Sequence, residues 1–122
     1  MKRFFLLTII LTVVMAGKVG AQDASSASKR ANQQYVLFES ERDKGTNVTA
    51  MYDYLLDSYA NFMKVVEAPN NGQYIGGAKS RLKALYPYLL NGAVYYSEQK
   101  QPAKALDFAA AYIDMPQMQL FR

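Results

Sequence analysis

Apolar side chains recur every three or four residues along most of this chain, which is the spacing of one face of an α-helix. The first run predicts a helix that ends before Gly45, a residue suited to the left-handed turn that closes a helix. The polar pair at 46–47 then offers an N-cap oxygen to a second helix over 48–67. The apolar positions are Ala24, Ala27, Ala31, Tyr35 and Phe38 in the first run, and Val48, Met51, Tyr52, Leu55, Tyr59, Phe62 and Val66 in the second. The short connection predicts an antiparallel hairpin over 24–67.

A third run continues the helical spacing over 75–96, but Pro87 lies inside it. Because proline lacks the N–H and clashes with the preceding turn, two arrangements are open. Either one long helix is kinked at Pro87, or one helix ends near Leu85 and another begins with the proline in its first turn. The unbroken apolar stripe favours the kinked helix. Pro102 suits the first turn of a last helix, so the pattern, which contains no alternating strand-like stretch, predicts an all-α fold with a second helix pair over 73–115.

Residues 1–21 have the layout of a secretory signal peptide. Two cations precede an apolar run over 4–16, and the small side chains of Val19 and Ala21 suit cleavage before Gln22. The alternative is an uncleaved membrane anchor, but this run spans only about 20 Å of a hydrocarbon core about 30 Å thick. No cysteine follows the run, which excludes a lipoprotein anchor. The sequence therefore predicts an exported protein of the periplasm or the exterior.

The charge and the missing residue types limit the function further. The chain has 14 Lys and Arg against 10 Asp and Glu, but three of the cations lie in the predicted leader. The remainder is nearly neutral and gives no indication of nucleic-acid binding. Cysteine and histidine are absent, which excludes disulfides, cysteine nucleophiles, histidine bases and nearly all zinc or haem sites. We expect no cofactor, no metal and no membrane span after signal cleavage.

Three short patterns resemble catalytic or metal motifs, but each lacks the partners that its chemistry requires. Residues 80–83 read Ser-Arg-Leu-Lys, the spacing of the nucleophile motif in penicillin-recognising enzymes, without the other motifs of those enzymes. Tyr96 and Lys100 have the spacing found in short-chain dehydrogenases, without a glycine-rich phosphate loop. The carboxylates at 39, 41 and 43 are not followed by a calcium-binding loop. The sequence therefore predicts no catalytic residue and a protein that is not an enzyme.

The ten tyrosines are unusual for a chain of this length, and all of them follow the predicted leader. Five of them lie off the apolar stripes and cannot all be buried: Tyr54, Tyr86, Tyr88, Tyr95 and Tyr112. An exposed belt of tyrosines would be a partner-binding surface, since tyrosine offers contact area and a hydrogen bond at low entropic cost. The favoured alternative is that neighbouring repeats cover them.

The second helix pair carries the residues of a known repeat motif. The matching positions are Tyr88, Gly92 and Tyr95 on one helix, and Phe108, Ala111 and Pro116 on or after the next. The stretch over 88–116 therefore resembles a tetratricopeptide repeat (TPR), and the chain resembles the opening of a secreted TPR protein of the Bacteroidetes type. Asn91 stands where the family has leucine, and Lys104 stands where it has a small alanine, with Ala105 one residue later.

This resemblance implies helix hairpins stacked in a right-handed array. Gly92 would let the two helices of the pair approach closely, and Tyr88, Tyr95 and Phe108 would fill the space between them. TPR proteins bind protein or peptide partners in a groove lined by the first helix of each repeat. Carried onto this chain, the groove residues are Leu90, Asn91, Val94, Ser97 and Glu98.

The predicted function is therefore that of an exported, non-enzymatic module for protein–protein interaction in the cell envelope. Since about three repeats are usually needed for stability, we also expect the chain to be part of a longer repeat protein or a truncated reading frame. Two alternatives remain open. One is an N-terminal accessory module of a larger exported enzyme, and the other is a structural helical bundle that self-associates.

Overall fold

The computed structural model describes residues 24–115, and this part of the chain is built from helices. The helices are α1 at Ala24–Lys44, α2 at Val48–Glu67, α3 at Ile75–Glu98 and α4 at Pro102–Asp114. No strand occurs within 24–115, which confirms the predicted all-α class. Within the same range, no helix combines the length and the apolar character that a membrane crossing requires.

The turn between α1 and α2 follows the local rules that its sequence predicts. Gly45 has a positive φ of 66°, and its N–H donates to the carbonyl of Glu41 at 2.9 Å, which closes the last turn of α1. Asn47 is the N-cap of α2, and its side-chain oxygen accepts the N–H of Ala50 at 3.0 Å. Because only two residues separate this cap from α1, the chain reverses sharply and the two helices form a hairpin.

α3 continues through Pro87 without a break, so the arrangement with two separate helices does not occur. Pro87 lies on the exposed side of the helix. Leu82, Leu85 and Leu89, by contrast, are fully buried on the opposite side, and this leucine stripe spans the proline. Burial of the stripe therefore keeps the residues on both sides of Pro87 in one helix.

The core is a single cluster to which all four helices contribute. Its largest fully buried side chains are Tyr96, Phe38, Phe62, Phe108, Leu55, Leu82, Leu85, Leu89 and Val65. Every position of the predicted α1 stripe is buried, whereas Val48, the first position of the α2 stripe, is 40% exposed. Val48 begins its helix, where fewer neighbouring side chains are present to cover it.

Aromatic side chains of α3 join the second hairpin to the first. Tyr88 packs edge-on against Phe38 of α1, with ring centroids 5.1 Å apart. Tyr52 of α2 contacts Tyr95 of α3 at 5.2 Å and Phe108 of α4 at 5.7 Å. α3 therefore touches both helices of the first hairpin, and α4 touches α2.

Candidate functional site

The α3–α4 hairpin is held together by a close approach at Gly92. A Cβ atom at this position would lie 2.6 Å from Cδ1 and 2.8 Å from Cε1 of Phe108, closer than real contacts of this kind. The Phe108 ring in turn stacks on Tyr96 of α3, with centroids 5.5 Å apart and planes 23° apart. The ring of Phe108 therefore occupies the space that a side chain at position 92 would need, as the sequence predicted for this pair.

The two tyrosines that were expected beside Phe108 make their ring contacts with other residues. The ring contacts of Tyr88 reach Phe38 on α1, and those of Tyr95 reach Tyr52 on α2 and its own neighbour, Tyr96. Both tyrosines therefore pack at the junction of the two hairpins. The narrow gap over Gly92 is filled by the ring of Phe108.

An open groove runs between α3 and α4 on the side away from the first hairpin, with a volume of about 450 Å³. Its lining is mostly apolar and consists of Ala93, Val94, Ser97 and Glu98 from α3, and Pro102, Ala105, Leu106 and Ala109 from α4. Small alanine side chains supply three of these positions, so another helix or an extended chain has room to approach the backbone.

Three of the five residues predicted to bind a partner line this groove: Val94, Ser97 and Glu98. Leu90 lies one turn before Val94 on α3 and is 44% exposed, so it extends the same apolar surface. Asn91 is exposed but does not line the groove. The predicted residues therefore lie along the α3 side of the groove, and none of the residues on its α4 side was among them.

Helix α4 has two apolar faces, and the second one was not foreseen. Phe108, Ala111 and Met115 are buried in the core. Leu106 and Ile113, on the other side of the helix, are 67% and 62% exposed. Pro102, Leu106, Ala109 and Ile113 are spaced by four, three and four residues, a helical stripe that could have been read from the sequence.

The remaining repeat-signature residues divide between the core and the groove. Ala111 is buried, as predicted for packing, whereas Ala105 is half-buried and lines the groove. Lys104 points to the first hairpin, where its ammonium lies 3.6 Å from Asp53 of α2. Pro116 lies outside the described residues, as does the whole of the predicted signal peptide over 1–21.

The five off-stripe tyrosines do not form a free surface. All of them are half-buried and pack against the core: Tyr54, Tyr86, Tyr88, Tyr95 and Tyr112. The groove between α3 and α4, together with Leu90 and Ile113 beside it, is therefore a better candidate for partner binding than a tyrosine belt.

Three tyrosines have pKa values that their surroundings shift upwards. Burial raises the pKa of Tyr52, Tyr59 and Tyr96 above the ordinary tyrosine value, and nearby carboxylates raise the pKa of the last two further. The hydroxyl of Tyr96 has no hydrogen-bond partner among the described residues. These phenols therefore stay neutral at physiological pH.

The acidic residues near the end of α1 are engaged by cations of the same helix. Arg42 lies 3.9 Å from Glu39 and 3.2 Å from Asp43, and Lys44 lies 3.3 Å from Glu41. Within residues 24–115, no group of three or more acidic, histidine or cysteine side chains is placed to hold a metal ion. The calcium interpretation, which the sequence already disfavoured, gains no support here.

Comparison of the chain with protein-family models, curated proteins and solved structures finds no match.

Proposed function

We propose that this protein is an exported, non-enzymatic, TPR-like module that binds a protein partner in the cell envelope through the groove between α3 and α4. The observation that carries the proposal is the outer apolar surface of this hairpin. Leu106 and Ile113 are more than half exposed, and Val94 is 50% exposed beside them. Burying such aliphatic surface is favourable, by roughly 25 cal/mol for each Å² removed from water.

The TPR-like character rests on the way the hairpins are built. Two antiparallel helix pairs follow one another in the chain, and the close approach of Gly92 and Phe108 provides the packing that the repeat motif requires. The contacts of α3 with both α1 and α2 are those expected when one hairpin stacks on the next. Export rests on the leader pattern over 1–21.

Site-specific photocrosslinking tests the groove directly. A photoreactive amino acid replaces Leu106 in the protein expressed in its own cells, and another copy carries it at Val36, which is 60% exposed on α1. We expect adducts with one or a few defined proteins from position 106 and not from position 36. The adduct should disappear when Ala109→Arg fills the groove, while the far-UV circular dichroism of this variant stays unchanged.

The result also separates the alternatives. An adduct of twice the mass of the chain would support the self-associating bundle, and the absence of any adduct at position 106 would refute the groove as a binding site.

Export is checked on the same material, since a protein that begins at Gln22 in the envelope fraction supports the signal peptide. A protein that retains Met1, or one found only in the cytoplasm, refutes it.

A further inference from the structure

Two tyrosines from different helices of the second hairpin lie face to face. The rings of Tyr86 on α3 and Tyr112 on α4 are stacked, with centroids 4.5 Å apart and planes only 8° from parallel. Both side chains are half-buried, so each keeps part of its surface in contact with solvent. The neighbouring phenol of Tyr112 is the main reason that the pKa of Tyr86 is raised.

No other pair of neighbouring tyrosines within residues 24–115 combines parallel stacking of the rings with two partly exposed side chains. Tyr52 and Tyr95 are tilted by 33° at 5.2 Å, and Tyr95 meets Tyr96 edge-to-face at 79°. Each of these pairs includes a side chain that is at least nine-tenths buried, because Tyr52 is 7% and Tyr96 is 1% exposed.

The amino-acid composition leaves tyrosine as the main target of one-electron oxidation. Cysteine, tryptophan and histidine are all absent from the chain, which leaves tyrosine and methionine as the oxidisable side chains. Methionine is oxidised by oxygen transfer to the sulfoxide. One-electron oxidation falls instead on the phenols, and a phenoxyl radical reacts with the nearest second one.

We propose that Tyr86 and Tyr112 form an oxidative cross-linking site, at which a peroxide-driven one-electron oxidant joins the two rings as dityrosine. Each phenol loses one electron and one proton. The two radicals couple through a carbon–carbon bond between ring positions next to the hydroxyl groups, and each coupled carbon passes its hydrogen to the oxygen of its own ring. The peroxide accepts the two electrons as its oxygen–oxygen bond breaks, and it takes up the two protons.

The cross-link would hold α3 and α4 together in a chain that has no cysteine for a disulfide. A covalent bond between positions 86 and 112 closes a loop through the unfolded chain, and this lowers the entropy of the unfolded state as a disulfide does. The cross-linked protein should therefore unfold at a temperature at least about 10 °C higher than the untreated protein. This site is independent of partner binding in the groove.

The test oxidises dilute purified protein with a photoactivated ruthenium complex and persulfate, so that coupling within one molecule is favoured. We expect a monomer lighter by two hydrogen atoms, with dityrosine fluorescence, and a tryptic cross-link that joins the peptide of Tyr86 to that of Tyr112. In Tyr86→Phe and Tyr112→Phe, the rings still pack but one phenol is missing, so the intramolecular product should fall to background.

Tyr88→Phe is the matched control, because it removes a half-buried phenol of the same helix that contacts Phe38 and not a tyrosine. This variant should cross-link as the original protein does. Equal dityrosine yield in Tyr112→Phe, a cross-link that maps to other tyrosines, or dityrosine found only in dimers would each overturn the proposal.

Discussion

Substitution of Gly92 by alanine tests whether the close approach of α3 and α4 determines the packing of this hairpin. The added Cβ would lie 2.6, 2.8 and 3.0 Å from three ring atoms of Phe108. The ring has little freedom to move away, because it is 2% exposed and packs on both Tyr52 and Tyr96. The helices must therefore separate locally, or Phe108 must leave its favoured position.

The magnitude follows from two opposing terms. Overpacking a well-filled core by one carbon costs about 1–3 kcal/mol. Replacing a helical glycine by alanine stabilises the folded state by roughly 0.5–1 kcal/mol, since alanine has less freedom to lose. At Gly92 we expect the first term to exceed the second, for a net loss of about 1–2 kcal/mol, or about 5–15 °C in the melting temperature of a domain of this size.

Gly77 provides the control within the same helix. A Cβ at Gly77 would meet nothing within 4 Å, so only the favourable term remains and Gly77→Ala should raise stability by roughly 0.5–1 kcal/mol. Urea unfolding monitored by circular dichroism measures both variants. If Gly92→Ala were as stable as Gly77→Ala, the ring of Phe108 would not lie against Gly92 and the reasoning would be refuted. A smaller loss for Gly92→Ala in a Phe108→Leu background would confirm that the ring is the source.

Two further predictions concern the core. Ser58 donates a buried hydrogen bond of 2.9 Å to the carbonyl of Ala31, so Ser58→Ala should cost about 1 kcal/mol in urea unfolding, whereas Ser80→Ala on the exposed side of α3 should be neutral. Burial raises the pKa of Tyr59 and Tyr96 above the value of 10.0 in the unfolded chain. Because the folded state favours the neutral phenols, their contribution to stability is complete at neutral pH and is lost as the pH rises above about 10. The free energy of unfolding should therefore fall above that pH. It should fall less steeply in Tyr96→Phe, which has one such phenol fewer. A fall of equal slope in that variant would argue against the assignment.

Most of the fold could be predicted because local rules and burial agree along the chain. The five α1 positions from Ala24 to Phe38 share one face, and all five are buried. Gly45 has the positive φ that glycine tolerates, and Asn47 makes the N-cap hydrogen bond that asparagine favours, so the turn could be predicted from the sequence. At Pro87 the tendency of proline to end a helix opposes the apolar stripe, which predicts one continuous helix. Burial of the leucines on both sides decides the outcome, as the unbroken spacing had indicated.

The tertiary partners of individual aromatic residues could not be predicted in the same way. A helical stripe shows which residues face inward, but it does not show which helix they meet. Tyr88 and Tyr95 were assigned to the α3–α4 pair and instead contact the first hairpin. The interactions that decide this outcome are non-local, since Phe108 of α4 fills the gap over Gly92, and Phe38 and Tyr52 of the first hairpin meet the two tyrosines.

The exposed stripe of α4 follows from this packing, and this is the strongest physical reason to place function there. α4 has apolar residues on two sides, so it could pack in either of two orientations, each of which would bury one apolar side and expose the other. Rotating α4 by half a turn would cover Leu106 and Ile113, but it would also take Phe108 out of the gap over Gly92. An aliphatic side chain does not fill a space shaped for an aromatic ring, so the observed orientation is the one that avoids a cavity. Leu106 and Ile113 therefore stay exposed, because packing of Phe108 in the core fixes α4 in the orientation that turns these two residues outward.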